Sequence, residues 1–202
     1  MAIDIRVCEL LAARLCHDMA GAVAAIANGT ELLDDDDPDF AKEAATLIGD
    51  SARTAARRLQ LFRYVFGFGR GAHAGPPPHV LVSEYFAGST IVCDYPDAVR
   101  DLEPEWQRLA CGLAFIAAEG LPRGGQLSLD TAADGLVIIG TGAGEGLPAE
   151  SCAALTLSAD AAELTSRSVC AYFTGLVAQG LGRRLVVTVE PGVFQVKSEA
   201  SA

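Results

Sequence analysis

In the first third of the chain, an apolar residue recurs every three or four positions in two long runs. The first run comprises Cys8, Leu11, Leu15, Met19, Ala22, Ile26 and Leu33. The second comprises Phe40, Ala44, Leu47, Ile48, Ala55, Leu59, Phe62 and Phe66. This spacing is that of amphipathic helices. The acidic stretch 34–37 and Pro38 mark the break, because carboxylates and proline both favour the first turn of a helix. The pattern predicts two long helices within residues 5–67.

Two antiparallel helices of this length form a hairpin, and a hairpin alone buries only one side of each apolar stripe. At about 1.5 Å per residue, each helix would be about 40 to 45 Å long. Pairing two hairpins into a four-helix bundle would bury the remaining apolar surface. We therefore expect a homodimer formed through a dimerisation domain over residues 1–67.

The remainder of the chain follows a different pattern. Residues 68–79 are rich in glycine and proline and predict a linker, in which His73 and His79 would be exposed. Beyond it, strand-like runs are found at 89–93, 126–130, 135–140, 184–189 and 193–196. Helix-like runs are found at 80–88, 104–120 and 166–180. The expected fold class is α+β, with a second domain over residues 80–202 in which helices cover one face of a sheet.

Composition and charge narrow the function classes. Half of the 202 residues are hydrophobic and one fifth are charged, which is typical of a globular protein. The formal net charge of -11 argues against nucleic acid as a partner, because phosphate binding needs clustered lysine and arginine. No leader and no continuous apolar run of about 18 residues is evident, so we expect a cytoplasmic protein without a membrane partner. The six cysteines form no C-x-x-C pair, and we expect reduced core thiols and no metal.

His17 is the candidate nucleophile. On a helical wheel it falls opposite the apolar stripe and should face solvent. An imidazole is a good nucleophile near pH 7, because much of it is neutral there. Asp18 is adjacent and is predicted to orient the ring or handle its proton. Small residues dominate the face around His17 and would give another protein a flat path to the ring. That face comprises Ala13, Arg14, Ala20, Gly21, Ala24 and Asn28.

The context of His17 resembles a known family. The stretch Leu-Cys-His-Asp-Met at residues 15–19 resembles the phospho-acceptor box of histidine kinases, and a longer pattern is similar to the ChpT family of histidine phosphotransferases. The residues that carry it are His17, Asp18, Val23, Ala25, Ile26, Asn28, Gly29, Glu31, Leu32 and Leu33. The family commonly has a Ser-Pro pair after the histidine, where this chain has Gly21 and Ala22. Without that proline, helix 1 should be straighter, which could alter docking but leaves the nucleophile in place.

The resemblance implies a phosphorelay shuttle. Such proteins take a phosphoryl group from the receiver-domain aspartate of a hybrid histidine kinase and pass it to the aspartate of response regulators. The group would travel on His17, and the assisting Mg²⁺ would belong to the partner receiver domain. The partner surface would include Arg14, Ala20, Gly21 and Ala24. Arg53 and Arg57 would meet acidic receiver surfaces or simply form a solvated cationic face.

The second half resembles an eroded ATP-binding domain of histidine kinases. The Pro-x-Gly-Gly turn survives at residues 122–125, but Ile116 stands where those kinases have a Mg²⁺-binding asparagine. Gly140 stands where they have the aspartate that reads adenine, and residues 161–168 lack the lid glycines. The resemblance therefore implies a degenerate domain without ATP or another cofactor.

Three alternatives stay open. An active histidine kinase core would need ATP, and a pseudo-kinase scaffold would bind receivers without accepting phosphate. A helical hairpin that serves only for dimerisation would leave the His-Asp context unexplained. Mg-dependent ATP binding and labelling of His17 distinguish these readings.

Overall fold

In a computed structural model, the chain is described over residues 4–33, 37–67, 75–132 and 135–201. Two long helices, α1 (Ile5–Leu32) and α2 (Pro38–Phe66), form the predicted hairpin. Helix α1 begins after Asp4, whose carboxylate accepts the backbone N–H of Arg6 at 2.9 Å. Helix α2 begins with Pro38 in its first turn, after Asp37. Asp37 and Pro38 thus act at the N-terminus of α2 as predicted, and Asp4 caps α1 in the same way.

The close packing of α1 on α2 depends on small residues. Gly29 lies against Ile48, and a Cβ atom on Gly29 would lie 2.6 Å from Ile48 Cγ1. Ala22 and Ala44 are buried in the same interface. Nearer the other end of the hairpin, Arg58 donates to the backbone oxygen of Asp18 at 2.6 Å. These pairings show that the helices run antiparallel, and a larger side chain at position 29 would force them apart.

The rest of the chain builds a helical layer on a five-stranded sheet. The helices are α3 (Pro78–Phe86), α4 (Asp97–Arg100), α5 (Pro104–Ala117), α6 (Ala149–Leu155) and α7 (Val169–Gly180). Two 3-10 turns span Ala118–Gly120 and Ala161–Glu163. The strands are β1 (Ile91–Asp94), β2 (Gly125–Ala132), β3 (Gly135–Thr141), β4 (Arg183–Glu190) and β5 (Val193–Ala200). The predicted strands and the three predicted helices are confirmed within a few residues, and the α+β fold class with them.

The strand order is β1-β2-β3-β5-β4. Strand β1 is parallel to β2, and all other neighbours are antiparallel. A tight turn joins β4 to β5, where Gly192 adopts a φ of +78° that favours glycine. Alternate residues of the central strands are buried under the helices, and α5 is buried at every position from Leu109 to Ala117. The core therefore lies between α5 and one face of the sheet.

The linker prediction was partly wrong. Helix α3 begins at Pro78 rather than at residue 80, because a proline is well suited to a first helical turn. His79 is consequently a half-buried helical residue whose ring centroid lies 6.3 Å from that of Tyr95, and it is not an exposed linker residue. His73 lies outside the described residues.

The hydrophobic core continues from the hairpin into the second half. Leu61 and Val65 of α2 are buried with α5 and α7 in one cluster. The rings of Phe62 and Phe115 meet edge to face at 5.5 Å, and Arg108 Nε donates to the backbone oxygen of Val65 at 2.8 Å. The division into residues 1–67, 68–79 and 80–202 stays a prediction, and this packing crosses it.

Helix α1 is long and apolar enough to cross a membrane by length and composition, with a mean hydropathy of 1.4 over its most apolar window. One such helix is weak evidence for a membrane span, because core helices of soluble proteins and signal sequences can have the same length and composition. The helix is not a continuous apolar run, since Glu9, Arg14 and Asp18 interrupt it. Large apolar side chains of the hairpin are exposed in the single chain: Ile5, Val23, Leu32, Leu33, Phe40, Leu47 and Leu59.

Candidate functional site

His17 lies in the middle of α1 with its side chain 86% exposed, as the wheel predicted. Small residues surround it on the helix surface, and Ala20, Gly21 and Ala24 are all exposed. A Cβ atom built on Gly21 would meet nothing within 4 Å. The imidazole is therefore open to a large partner.

Asp18 holds one edge of the imidazole. Its Oδ1 lies 3.4 Å from Nδ1 of His17, and its Oδ2 accepts a hydrogen bond from Arg14 Nε at 2.9 Å. A carboxylate next to Nδ1 favours the neutral imidazole tautomer in which Nδ1 bears the proton. That tautomer leaves a free lone pair on Nε2.

The helical wheel predicted that Arg14 lies on the exposed face of α1, and this prediction was wrong. The Arg14 side chain is 18% exposed and turns toward the second half of the chain. Nη2 lies 3.3 Å from Oε1 of Glu119, and Nη1 donates to the backbone oxygens of Ser166 and Arg167 at 3.5 and 3.4 Å. The wheel was wrong here because Arg14 is at the border of the buried stripe, where its long side chain reaches carboxylate and carbonyl acceptors.

Glu119 completes this cluster from the turn that follows α5. Its Oε2 accepts a hydrogen bond from the buried Ser151 Oγ at 2.8 Å. Burial raises the pKa of the Glu119 carboxyl, against the opposing effects of the Ser151 hydrogen bond and the Arg14 charge. Sequence analysis missed both residues. Glu119 is 105 positions from Arg14, and no motif or spacing connects them.

The two predicted receiver-binding arginines differ in their environment. Arg53 is 61% exposed and pairs with Asp50 on its own helix. Arg57 is 33% exposed, and its Nε lies 2.6 Å from Oε2 of Glu84 on α3. Their role toward a partner stays a prediction, and Arg57 is the more constrained of the two.

In the region that resembles a nucleotide site, other parts of the chain pack closely against several glycines. The Phe194 ring packs directly over Gly140, where a Cβ atom would collide with it, and a Cβ on Gly120 would lie 2.6 Å from the same ring. Gly142 lies against the 122–125 turn, where a Cβ would be 2.7 Å from the backbone oxygen of Gly124. Ile116 is fully buried in α5. The glycines of this region thus serve close packing.

The segment 161–168 lies against the hairpin. Arg6 of α1 donates to the backbone oxygen of Leu164 at 3.2 Å, and Leu164 is buried. Together with the Arg14 contacts to Ser166 and Arg167, this fixes the segment beside α1. It occupies the chain position of a kinase lid but is held in place by the helix that bears His17.

Among residues 4–33, 37–67, 75–132 and 135–201, no group of three or more histidine, cysteine or acidic side chains is arranged to hold a metal ion. All six cysteines are free thiols. Cys111 and Cys170 are buried and Cys93 and Cys152 pack against the core, so most of the thiols are core residues as expected, whereas Cys8 and Cys16 are exposed on α1. Burial raises the pKa of Cys93 and of Cys170 to about 12, so these two thiols are unreactive at neutral pH.

The chain is similar to several known proteins. The family described as "Histidine phosphotransferase C-terminal domain" matches residues 78–192. Protein phosphotransferase ChpT of Brucella abortus (strain 2308) is 30% identical over 198 residues, which cover 93% of each chain. A solved bacterial phosphotransferase superimposes with a TM-score of 0.72 at 24% identity and covers 98% of both chains. The histidine kinase domain of the Erythrobacter litoralis blue-light activated kinase EL346 superimposes with a TM-score of 0.41 at 12% identity, over 88% of this chain and 94% of that one.

The family match covers more than half of the chain, and the identity to ChpT extends over nearly all of it. The solved phosphotransferase shares the same fold from end to end. This protein belongs to the ChpT-like family of histidine phosphotransferases.

Proposed function

We propose that this chain carries a phosphoryl group on His17 in a multistep phosphorelay. The donor is the receiver-domain aspartate of a hybrid histidine kinase, and the acceptors are receiver aspartates of response regulators. The observation that carries the proposal is an imidazole, 86% exposed, with a carboxylate at its Nδ1 and small residues around it. The family supports phosphotransfer in general, and this site supports His17 as the group that performs it.

The chemistry follows from the two nitrogens of the ring. Nε2 attacks the phosphorus of the donor's aspartyl phosphate, so that an N–P bond forms while the O–P bond breaks and the aspartate carboxylate leaves. The Nδ1 proton stays on the ring, and the resulting positive charge faces Asp18. The reverse attack by a second receiver's aspartate returns the ring to its neutral form. The chain contributes nucleophile and position, and any Mg²⁺ is bound by the receiver.

The test is transfer from a receiver domain that is phosphorylated on its aspartate. We expect the wild-type chain to gain a phosphoryl group, found by mass spectrometry on the peptide that contains residue 17. If the receiver binds but no group is transferred, the scaffold alternative is correct.

We also propose that the chain does not use ATP, because Phe194 packs over Gly140 and Ile116 offers no metal ligand. Calorimetric titration with Mg-ATP up to about 1 mM should give no saturable heat. A Kd of about 1 mM corresponds to a binding free energy of about -4 kcal/mol, so even weak binding would be detected. Labelled ATP alone should leave His17 unlabelled. Saturable, Mg-dependent binding would favour an active kinase core instead.

A homodimer explains the exposed apolar side chains of the hairpin. Val23 is 55% exposed and Leu47 is 41% exposed in the single chain. We propose that two hairpins bury this surface in a four-helix bundle. The same pairing accounts for the apolar character of α1 in a cytoplasmic protein, because the face that would otherwise contact lipid meets a second copy.

Val23→Glu tests the bundle. A charge buried without a partner at an interface costs several kcal/mol, so we expect the dimer to weaken at least about a hundredfold and the variant to sediment as a monomer. The wild-type chain should sediment as a dimer at micromolar concentration. The matched control is Val92→Glu, since Val92 is 68% exposed on the edge strand β1 and should not affect association. A wild-type monomer, or equal association of wild type and Val23→Glu, would contradict the proposal.

A further inference from the structure

We propose that Arg14 is a positioning residue, which holds Asp18 against the His17 ring and is itself anchored by Glu119 and Ser151 of the second half. This inference rests on the proposed function and adds to it the residues that prepare the nucleophile. It assigns the second half a role that does not involve a nucleotide.

The contacts form an unbroken chain from the ring to the second half. Nδ1 of His17 is 3.4 Å from Asp18 Oδ1, and Asp18 Oδ2 is 2.9 Å from Arg14 Nε. Arg14 Nη2 is 3.3 Å from Glu119 Oε1, and Glu119 Oε2 is 2.8 Å from Ser151 Oγ. Each contact joins a donor to an acceptor, and the arginine lies between the two carboxylates.

Burial makes this chain of contacts more effective than a surface ion pair. The side chains of Arg14, Asp18 and Glu119 are each less than a fifth exposed, whereas Arg53 and its partner Asp50 are both more than three fifths exposed. Weak solvent screening strengthens the attraction and holds the geometry. Without the Arg14 cation, two largely buried carboxylates would face each other, and Asp18 would turn away toward solvent and leave the ring.

The guanidinium group is needed as well as its charge. Arg14 uses Nε for Asp18, Nη2 for Glu119, and Nη1 for the backbone oxygens at 166 and 167. Lysine presents a single ammonium group at the end of a flexible chain and does not span these acceptors. Arg58 holds the backbone of Asp18 independently, so the loss of Arg14 should release the carboxylate and not the helix.

Positioning and partner binding predict different kinetics. A residue that contacts the receiver would change the receiver concentration at half-saturation, whereas a residue that orients the nucleophile changes the saturating transfer rate. Arg14 faces away from the open surface around His17. We therefore expect its removal to act on the saturating rate.

The experiment measures both constants for transfer from a phosphorylated receiver domain to Arg14→Gln, Arg14→Lys and Glu119→Gln. We expect the saturating rate of Arg14→Gln to fall about ten- to a hundredfold, with half-saturation unchanged within about twofold. Arg14→Lys should not restore the rate, and Glu119→Gln should show a smaller loss in the same direction. The matched control, Arg184→Gln, removes an exposed arginine that pairs with Glu199 and should transfer at the wild-type rate.

A spectroscopic readout separates positioning from a loss of stability. The chain has three histidines, so the ring nitrogens of His17 can be assigned by NMR with His17→Asn as a reference. We expect Arg14→Gln, but not Arg184→Gln, to shift the tautomer balance of His17 away from the Nδ1 proton. Adding Arg14→Gln to Asp18→Asn should cost nothing further, because both changes remove the same contact.

A wild-type rate in Arg14→Gln, a changed half-saturation alone, or full additivity with Asp18→Asn would overturn the inference. If Arg14→Gln fails to fold, Glu119→Gln gives the same test, since it keeps the size of the side chain. If the wild-type chain takes no phosphoryl group, the proposed function fails, and the NMR measurement still decides whether Arg14 positions the ring.

Discussion

His17→Asn is expected to abolish phosphoryl transfer to this chain and to leave its fold unchanged. Asparagine has a similar size but no ring nitrogen to attack phosphorus, so the N–P bond cannot form. The side chain is 86% exposed on α1, and a substitution of this kind changes the free energy of unfolding by less than about 0.5 kcal/mol. The measurement is the phosphoryl label that the variant acquires from a phosphorylated receiver domain, beside urea unfolding of both proteins.

The control is the same substitution at another histidine. His79→Asn changes a half-buried ring on α3 that lies against Tyr95, and it should retain the label even where it lowers stability. Sedimentation of His17→Asn should match that of the wild type. A label that persists in His17→Asn would place the phosphoryl group on another residue and refute the mechanism.

The hairpin and the exposure of His17 were predictable, because both depend on local periodicity. Apolar residues every three or four positions define α1 and α2, and a residue opposite the stripe faces solvent wherever the helix lies on the surface. The strands were also predictable, since turns and β-branched runs are local signals. Helices α4 and α6, of four and seven residues, were missed because they are too short to show a period.

The residues around the nucleophile could not be predicted in this way. The direction of the Arg14 side chain depends on Glu119, which the folding of α5 onto the hairpin brings near. Ser151 is found on α6, an element that the sequence pattern did not reveal. A helical wheel places a Cα atom on a face, but a long side chain at the border of that face follows its acceptors.

If the chain does not use ATP, as we propose, the position of Arg14 explains how the second half contributes. Glu119 and the segment 161–168 contact arginines of α1, and Ser151 in turn donates to Glu119. In the proposed mechanism these contacts hold the orientation of Asp18. The second half is then a support for the nucleophile.

Gly140→Asp, which introduces the aspartate of the kinases that this region resembles, is expected to destabilise the protein without creating an adenine site. A Cβ atom at position 140 collides with the Phe194 ring, which is 2% exposed. Overpacking of a core costs about 1–3 kcal/mol, and a carboxylate buried without a partner adds a comparable amount. We expect the free energy of unfolding to fall by about 4 kcal/mol in urea titration. The variant should still give no saturable heat with Mg-ATP.

Two comparisons assign that loss to the Phe194 ring. Gly180→Asp adds the same side chain where a Cβ atom meets nothing within 4 Å, and it should cost less than about 1 kcal/mol. Phe194→Ala alone should lower the free energy of unfolding by about 3–5 kcal/mol, because it leaves a cavity. In the Gly140→Asp background the same change should lower it much less, because it removes the ring that clashes with the aspartate. If Gly140→Asp unfolds at the wild-type urea concentration, or if the two changes are additive, the ring does not fill this site. Even the double variant should lack ATP binding, since the fully buried Ile116 supplies no ligand for a phosphate-bound metal.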